Sequence, residues 1–306
     1  MNQTTKKIVL KFGWFLLVVV LIQSFTCKTT LLAADVSENL EFSVPNTPDG
    51  RIYQKIIQDA SQHDLQDQSL SGVIQTVAEQ FLGAEYQAGL LDRLPQETLY
   101  VSLQKFDCLL FVETVLAIAN NIVTQNFNYQ SFTSELENYR YWNGTINGYC
   151  SRLHYFSDWI DNNQQRGNVA NITPELGGIN TSKKLNFMTT NRDLYPNLAT
   201  DNINFKCISQ VEASLSSAFN YIPTKNINQV YDQLRPGDII GVATNIPGLD
   251  FTHTGFVYLQ PNGHIGLIHA SPAGTVVIAK DLQNYVENVK HARGIVVTRV
   301  NEPKLH

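Results

Sequence analysis

Apolar residues recur at helical spacing through the first half of the chain and alternate at strand spacing in its last quarter. Ile52, Ile56 and Ile57 share one helical face, and Val73, Val77 and Phe81 share another that Gly83 closes. Residues 35–50 read as an extended lead-in, with Pro45, Pro48, Asp49 and Gly50 breaking any period. The pattern lapses again over 85–105. The strongest helix follows: Asp107 is a natural N-cap, and Leu109, Val112, Val115, Leu116 and Ala119 form an apolar stripe running to about Val123. From about 126 to 224 the chain is rich in Asn, Ser and Tyr. Helices are expected there over 131–139 and 151–162, with mostly loop between Gly167 and Asn204 and a turn at Gly177-Gly178. The segments 238–243, 252–259, 264–270, 275–279 and 294–300 are short, β-branched and punctuated by Gly, Pro and Asn, as strands are. Helices first and a strand meander after them predict an α+β fold rather than alternating βαβ units.

Composition narrows the class. Of the 306 residues 43% are hydrophobic and 16% charged, which excludes a disordered chain and a coiled coil. The formal charge of −5, with no basic stripe, argues against nucleic acid as a partner. Lys6, Lys7 and Lys11 precede an apolar run from Phe12 to Ile22, and Leu31-Leu32-Ala33-Ala34 follows: the order of a secretory signal, expected over 1–34. The run is too short for the roughly 20 residues of a spanning helix, so no membrane span is expected after cleavage. Removing four lysines and no acid takes the formal charge from −5 to −9. The mature protein is expected to be exported to the periplasm or cell envelope, with an N-terminal extension over 35–69 and its main domain over 70–302.

That expectation gives the cysteines meaning. Cys108, Cys150 and Cys207 are an odd number for an oxidising compartment, so one thiol is left over. Cys108 directly follows the cap of the strongest helix, where free N–H groups and the helix dipole favour a thiolate and lower its pKa. The competing reading is a small hydrophobe packed under the helix start, and position alone balances the two. Among the histidines, His253 and His269 stand out, because each lies in an apolar strand where a histidine needs a partner. Gln260-Pro261-Asn262-Gly263 suits a three-residue hairpin loop. Gln260 then faces His264 and Gly255 faces His269, which puts His253 and His269 on one face as diagonal neighbours roughly 7–8 Å apart by backbone. A two-residue loop sends them to opposite faces. Gly255 is expected to leave open space there. Thiol, strand histidine and polar neighbour make a nucleophile, base and orienter. Satisfied core histidines, or zinc ligands with Cys108, are the alternatives. Zinc is disfavoured because no closely spaced ligand pair accompanies them; Cys150 and His154 at i, i+4 are the one such pair and weak alone.

Several segments together resemble a known family. Gly83-Ala84-Glu85-Tyr86, Phe106-Asp107-Cys108 and Thr252-His253-Thr254-Gly255 look like the NlpC-type branch of papain-like cell-wall hydrolases. Tyr149-Cys150-Ser151-Arg152-Leu153-His154-Tyr155, Asp158-Trp159, Gly177-Gly178, Gly248-Leu249-Asp250-Phe251 and His269-Ala270-Ser271 narrow the likeness to the N-acetylmuramoyl-L-alanine amidase-like family, over about 70–302. The resemblance implies a papain-like α+β fold with a helical and loop insertion at about 126–224. It implies no metal or cofactor, and peptidoglycan fragments (muropeptides) as partner. It places a nucleophile at Cys108, a general base at His253 and an orienting residue at His269, with Tyr86 helping to bind the oxyanion. Leu109-Leu110 depart from the hydroxyl residue more usual after the cysteine, and altered packing is expected there. Arg152 as a carboxylate clamp, His154 to an N-acetyl group, Trp159 stacked on a sugar face and Asp250 complete the binding candidates. The implied reaction is cleavage of the N-acetylmuramoyl-L-alanine amide. An endopeptidase cutting after D-glutamate and a non-catalytic envelope-binding protein are the alternatives. If Cys108 stays free, Cys150 and Cys207 are the safest partners for each other, but neither is flanked by turn chemistry that sets the geometry, and the balance falls against a bridge.

Overall fold

The computed structural model describes residues 44–303 apart from Arg93, Pro95, Ser216 and Ser217. The signal expected over 1–34 and most of the lead-in lie outside the described residues. Thr47 opens helix α1 (Pro48–Gln62), its hydroxyl accepting the Gly50 N–H at 3.0 Å. Pro48, expected to break periodicity, instead starts the helix, because a first-turn proline has no intrahelical hydrogen bond to lose. α2 spans Leu70–Glu79, α3 Cys108–Val123, α4 Tyr129–Arg140 and α5 Phe156–Gln165. Two single-turn helices, α6 (Phe187–Thr190) and α7 (Pro196–Ala199), precede α8 (Asn202–Ser214), and α9 is Leu282–Glu287.

The strands are β1 (Glu85–Tyr86), β2 (Lys105–Phe106), β3 (Val169–Asn171), β4 (Ile179–Ser182), β5 (Ala218–Pro223), β6 (Ile239–Thr244), β7 (Phe251–Leu259), β8 (Ile265–Ala270), β9 (Val276–Ala279) and β10 (Ala292–Val300). β1 and β2 form a small parallel pair. The rest make an antiparallel sheet in the order β4-β5-β10-β6-β7-β8-β9, with β3 also on β10. Helices followed by an antiparallel sheet are the α+β arrangement expected. Among the described residues no helix is long and apolar enough to cross a membrane.

α3 packs against β7 and β8 and between α2 and α4. Every residue from Leu110 to Ala119 is buried, so the helix is enclosed all round rather than along the one stripe expected. The other face of the sheet is covered by α9 and a 3-10 run over Thr224–Gln233, with Val257, Leu267, Val286, Ile295 and Val297 between them. The stretch expected to be an insertion at 126–224 divides. Phe132, Leu136 and Trp159 of α4 and α5 join the main core, and β3 and β5 pair with β10. Residues around Leu185, Met188, Leu198 and Ile208 make a separate small core with Tyr149 and Tyr155. The segment expected to be mostly loop therefore contains β3, β4 and the start of α8. β3 and β4 have only three and four residues, too few to show a period.

Candidate active site

α3 begins at Cys108 because Asp107 caps it, one carboxylate oxygen accepting the Leu110 N–H at 2.8 Å. Backbone N–H groups of Thr254, Leu109 and Cys108 itself face the sulfur. The effect is not the lowered pKa expected at a helix start. Burial pushes the Cys108 thiol up to about 12, the Asp107 carboxylate adding to it, and the three N–H groups offset only part. The resting group is a neutral thiol, and the side chain keeps partial solvent access.

The β7–β8 hairpin has the expected register, with Leu259 opposite Ile265 and Phe256 opposite Ile268. The Gln260 N–H donates to the His264 carbonyl at 3.0 Å, and Gly263 takes the left-handed conformation (φ 83°) that the loop needs. Strand alternation then puts His253, Gly255, Leu267 and His269 on the face that α9 covers. His253 Nε2 lies 2.8 Å from His269 Nδ1, the rings nearly perpendicular. Pairing between β6 and β7 slips just before His253, leaving Thr252 as the extra residue of a bulge that re-aims the strand end. Burial lowers His253 to about 3, with His269 adding to it, and burial lowers His269 to about 4. Both imidazoles are neutral near pH 7. Gly255 does not leave open space: a Cβ there meets the Ile268 carbonyl oxygen at 2.7 Å and His269 Cβ at 2.8 Å. The glycine is what lets His269 come close.

Tyr86 arrives through backbone pairing, its N–H donating to the Gly274 carbonyl at 2.7 Å beside the β1–β2 bridge to Phe106. Burial raises its hydroxyl to about 12, with Cys108 and then Asp107 adding to it. Tyr285 on α9 is the residue that sequence reasoning missed. Its ring centroid is 4.6 Å from that of His269 and 5.9 Å from that of His253, and its hydroxyl is raised by burial and then by Cys108 and Tyr86. A six-residue helix is too short to announce itself by periodicity; the Asp281 cap is its one local signal.

The remaining candidates fare differently. A cavity of about 190 Å³ opens beside the first turn of α3, lined by Asp107, Leu109, Arg152, His154 and Arg140 among others. Arg152 is buried and already engaged: Nη2 donates to Asp92 at 2.5 Å, Nη1 to the Leu91 carbonyl at 3.0 Å, and the guanidinium lies over Tyr149. It is no free clamp. His154 is not on a helix, since α5 starts only at Phe156; its Nε2 meets the Tyr149 carbonyl at 2.8 Å, and burial lowers it to about 3. Trp159 is fully buried, stacked on Phe156 and donating to Glu113 at 3.3 Å, so it offers no face to a sugar. Asp250 is buried too, accepting from the Ser157 N–H and hydroxyl at 2.8 and 2.7 Å, and so ties β7 to the start of α5. Leu109 lines the cavity while Leu110 packs into the core. Cys150 is bonded to Cys207, with Cα atoms 6.2 Å apart, against the expectation of two separate thiols. α8, which carries Cys207, was not expected as a helix start, and that removed the geometric cue for the bridge.

The sequence model of the N-acetylmuramoyl-L-alanine amidase-like family matches residues 76–295. A crystal structure of an N-acetylmuramoyl-L-alanine amidase from Bacteroides uniformis is 29% identical, covering 76% of this chain and 99% of that one, with a TM-score of 0.72. A Bacteroides fragilis protein provisionally named a xylanase is 32% identical over 74% of this chain and 100% of its own, with a TM-score of 0.66. A Legionella pneumophila protein of the DUF1460 family shares the fold at 24% identity, covering 82% of this chain and 94% of that one, with a TM-score of 0.62. Sequence comparison with curated proteins finds no match.

Proposed function

Because the chain belongs to the N-acetylmuramoyl-L-alanine amidase-like family, we propose that it is an exported cysteine amidase of papain-like architecture that hydrolyses the N-acetylmuramoyl-L-alanine bond of peptidoglycan fragments. The observation that carries the reading is the 2.8 Å contact of His253 with His269, on the strand whose Thr254 N–H faces the Cys108 sulfur. For His253 to accept a proton at Nδ1, its Nε2 must bear hydrogen and donate to His269 Nδ1, which leaves the His269 proton on Nε2. His269 thus fixes the tautomer of the base.

The steps follow from these neutral groups. As the Cys108 sulfur attacks the lactyl carbonyl carbon, its proton passes to His253 Nδ1. The oxyanion that forms is met by N–H groups at the start of α3 and by the Tyr86 hydroxyl. Collapse breaks the C–N bond, the imidazolium protonates the departing L-alanine amine, and a thioester remains. Water, deprotonated by His253, attacks that thioester and releases the lactyl carboxylate and the free thiol. Tyr285, packed on both histidines, keeps bulk water off the pair. Mass spectrometry of an intact muropeptide after treatment tests the assignment. A free sugar and an intact stem peptide are expected; a shortened stem overturns the bond choice.

A further inference from the structure

α3 carries Cys108 at its first turn and Asn120 and Asn121 near its last, about 18 Å further along the axis at 1.5 Å per residue. A second cavity, of about 770 Å³, opens at that far end. Small-molecule sites have roughly this size, 300–1,000 Å³, but are lined mainly by apolar and aromatic groups. This one is lined by six asparagines, Asn120, Asn121, Asn126, Asn138, Asn168 and Asn301. An asparagine amide offers two N–H donors and a carbonyl acceptor, the complement of neighbouring hydroxyls on a sugar ring.

Part of the array is set in advance. Arg166 donates to Asn138, and to Asn162 and Asn163 at 2.9 and 2.8 Å; Asn168 donates to Asn163 at 2.9 Å, and Asn301 to the Gly167 carbonyl at 2.9 Å. Other capacity is left over. The half-buried Asn120 amide makes no hydrogen bond among the described residues, and Asn126 only accepts, from Asn128 at 2.6 Å, keeping both its N–H donors. One guanidinium faces two carboxylates on the wall, Arg166 against Glu135 and Glu302, which disfavours a phosphate or another polyanion.

We propose that this cavity is a second binding site for a neutral saccharide chain, separate from the Cys108 centre. The proposal goes beyond the amidase reading and rests on it only for the choice of sugar. The site would hold the glycan of a polymeric substrate while the stem amide is cut elsewhere.

Calorimetric titration of the purified protein carrying Cys108→Ala with the β-1,4-linked N-acetylglucosamine hexamer tests it without any hydrolysis. Binding is expected, and Asn120→Trp, which fills the cavity, and Asn126→Trp, at its exposed rim, should each weaken it at least tenfold. Thermal unfolding of each variant confirms that it folds, and either variant suffices if the other does not. In the Cys108 background, turnover of a small soluble muropeptide should be unchanged by both. Absence of binding, or binding that both substitutions leave intact, overturns the proposal. Either result leaves the amidase reading standing, because that is decided by the muropeptide products.

Discussion

His253 and His269 meet through one hydrogen bond between two neutral rings, whereas Glu113 and Arg140 meet as an ion pair whose partners are about equally buried. The ion pair is held from several sides. Arg140 Nε donates to Glu113 at 2.7 Å, its Nη1 to the Tyr100 carbonyl at 2.6 Å, and the Trp159 indole to the other Glu113 oxygen. Burial still pushes the Glu113 carboxyl above its usual range, so the pairing only partly offsets desolvation. The histidines avoid that cost by staying uncharged, which leaves a proton free to move. A buried polar group can be locked by charge or kept labile by neutrality, and the histidine pair is of the second kind, on the strand whose Thr254 N–H faces the Cys108 sulfur.

The contrast can be broken from the reactive side first. Cys108→Ala should lower turnover of a muropeptide by at least about 10⁴-fold, measured by product release, with the unfolding midpoint little changed. Glu113→Ala should do the reverse. Stranding Arg140 in the core should cost about 3–5 kcal/mol in denaturant unfolding, and replacing both partners by Leu and Met should recover much of that. His269→Ala lies between them. It frees the His253 ring and should lower kcat by about 10²-fold with KM nearly constant, whereas a purely structural role would show in unfolding instead.

The smallest effect is the position of an acid limb. His253 is lowered from 6.5 to about 3, so it stays neutral and able to accept a proton until the pH nears that value. The profile of kcat/KM against pH should therefore hold through 6.5 and fall only below about pH 5; a limb at 6.5 contradicts a buried neutral base. Stability shifts in the same sense for this group. Between the folded and unfolded values the unfolded chain binds more protons, so the contribution of His253 is complete above about 6.5 and shrinks as the pH falls, by up to about 1.4 kcal/mol per pH unit. The raised carboxyls of Glu113 and Asp250 work the other way, being most favourable in acid.

The histidine pair was legible because one hairpin loop fixes its register, and a loop of Pro, Asn and Gly is strong local chemistry. α3 was legible because its cap and apolar run agree. The thiol's electrostatics were not: a helix start argues for a lowered pKa, and only packing around Cys108 and the carboxylate of Asp107 reverse it. Trp159 and Arg152 were misread for a related reason. Their residue types suit ligands as well as they suit a core stack and a buried ion pair, and burial is set by neighbours such as Glu113 and Asp92 that are distant in sequence.

β10 is the last strand of the chain, yet it lies inside the sheet between β5 and β6 and also carries β3. Its ladders reach back as far as Val169, so the order in which parts of the chain become available does not match the order in which they pair. Contacts of such long sequence separation make folding slow, because loop-closure entropy is lost before the ladder forms. While β10 is missing, β5 and β6 present unpaired edges to other chains. Cys108 is therefore made early in the chain, while the sheet that carries His253 and His269 closes only at the end.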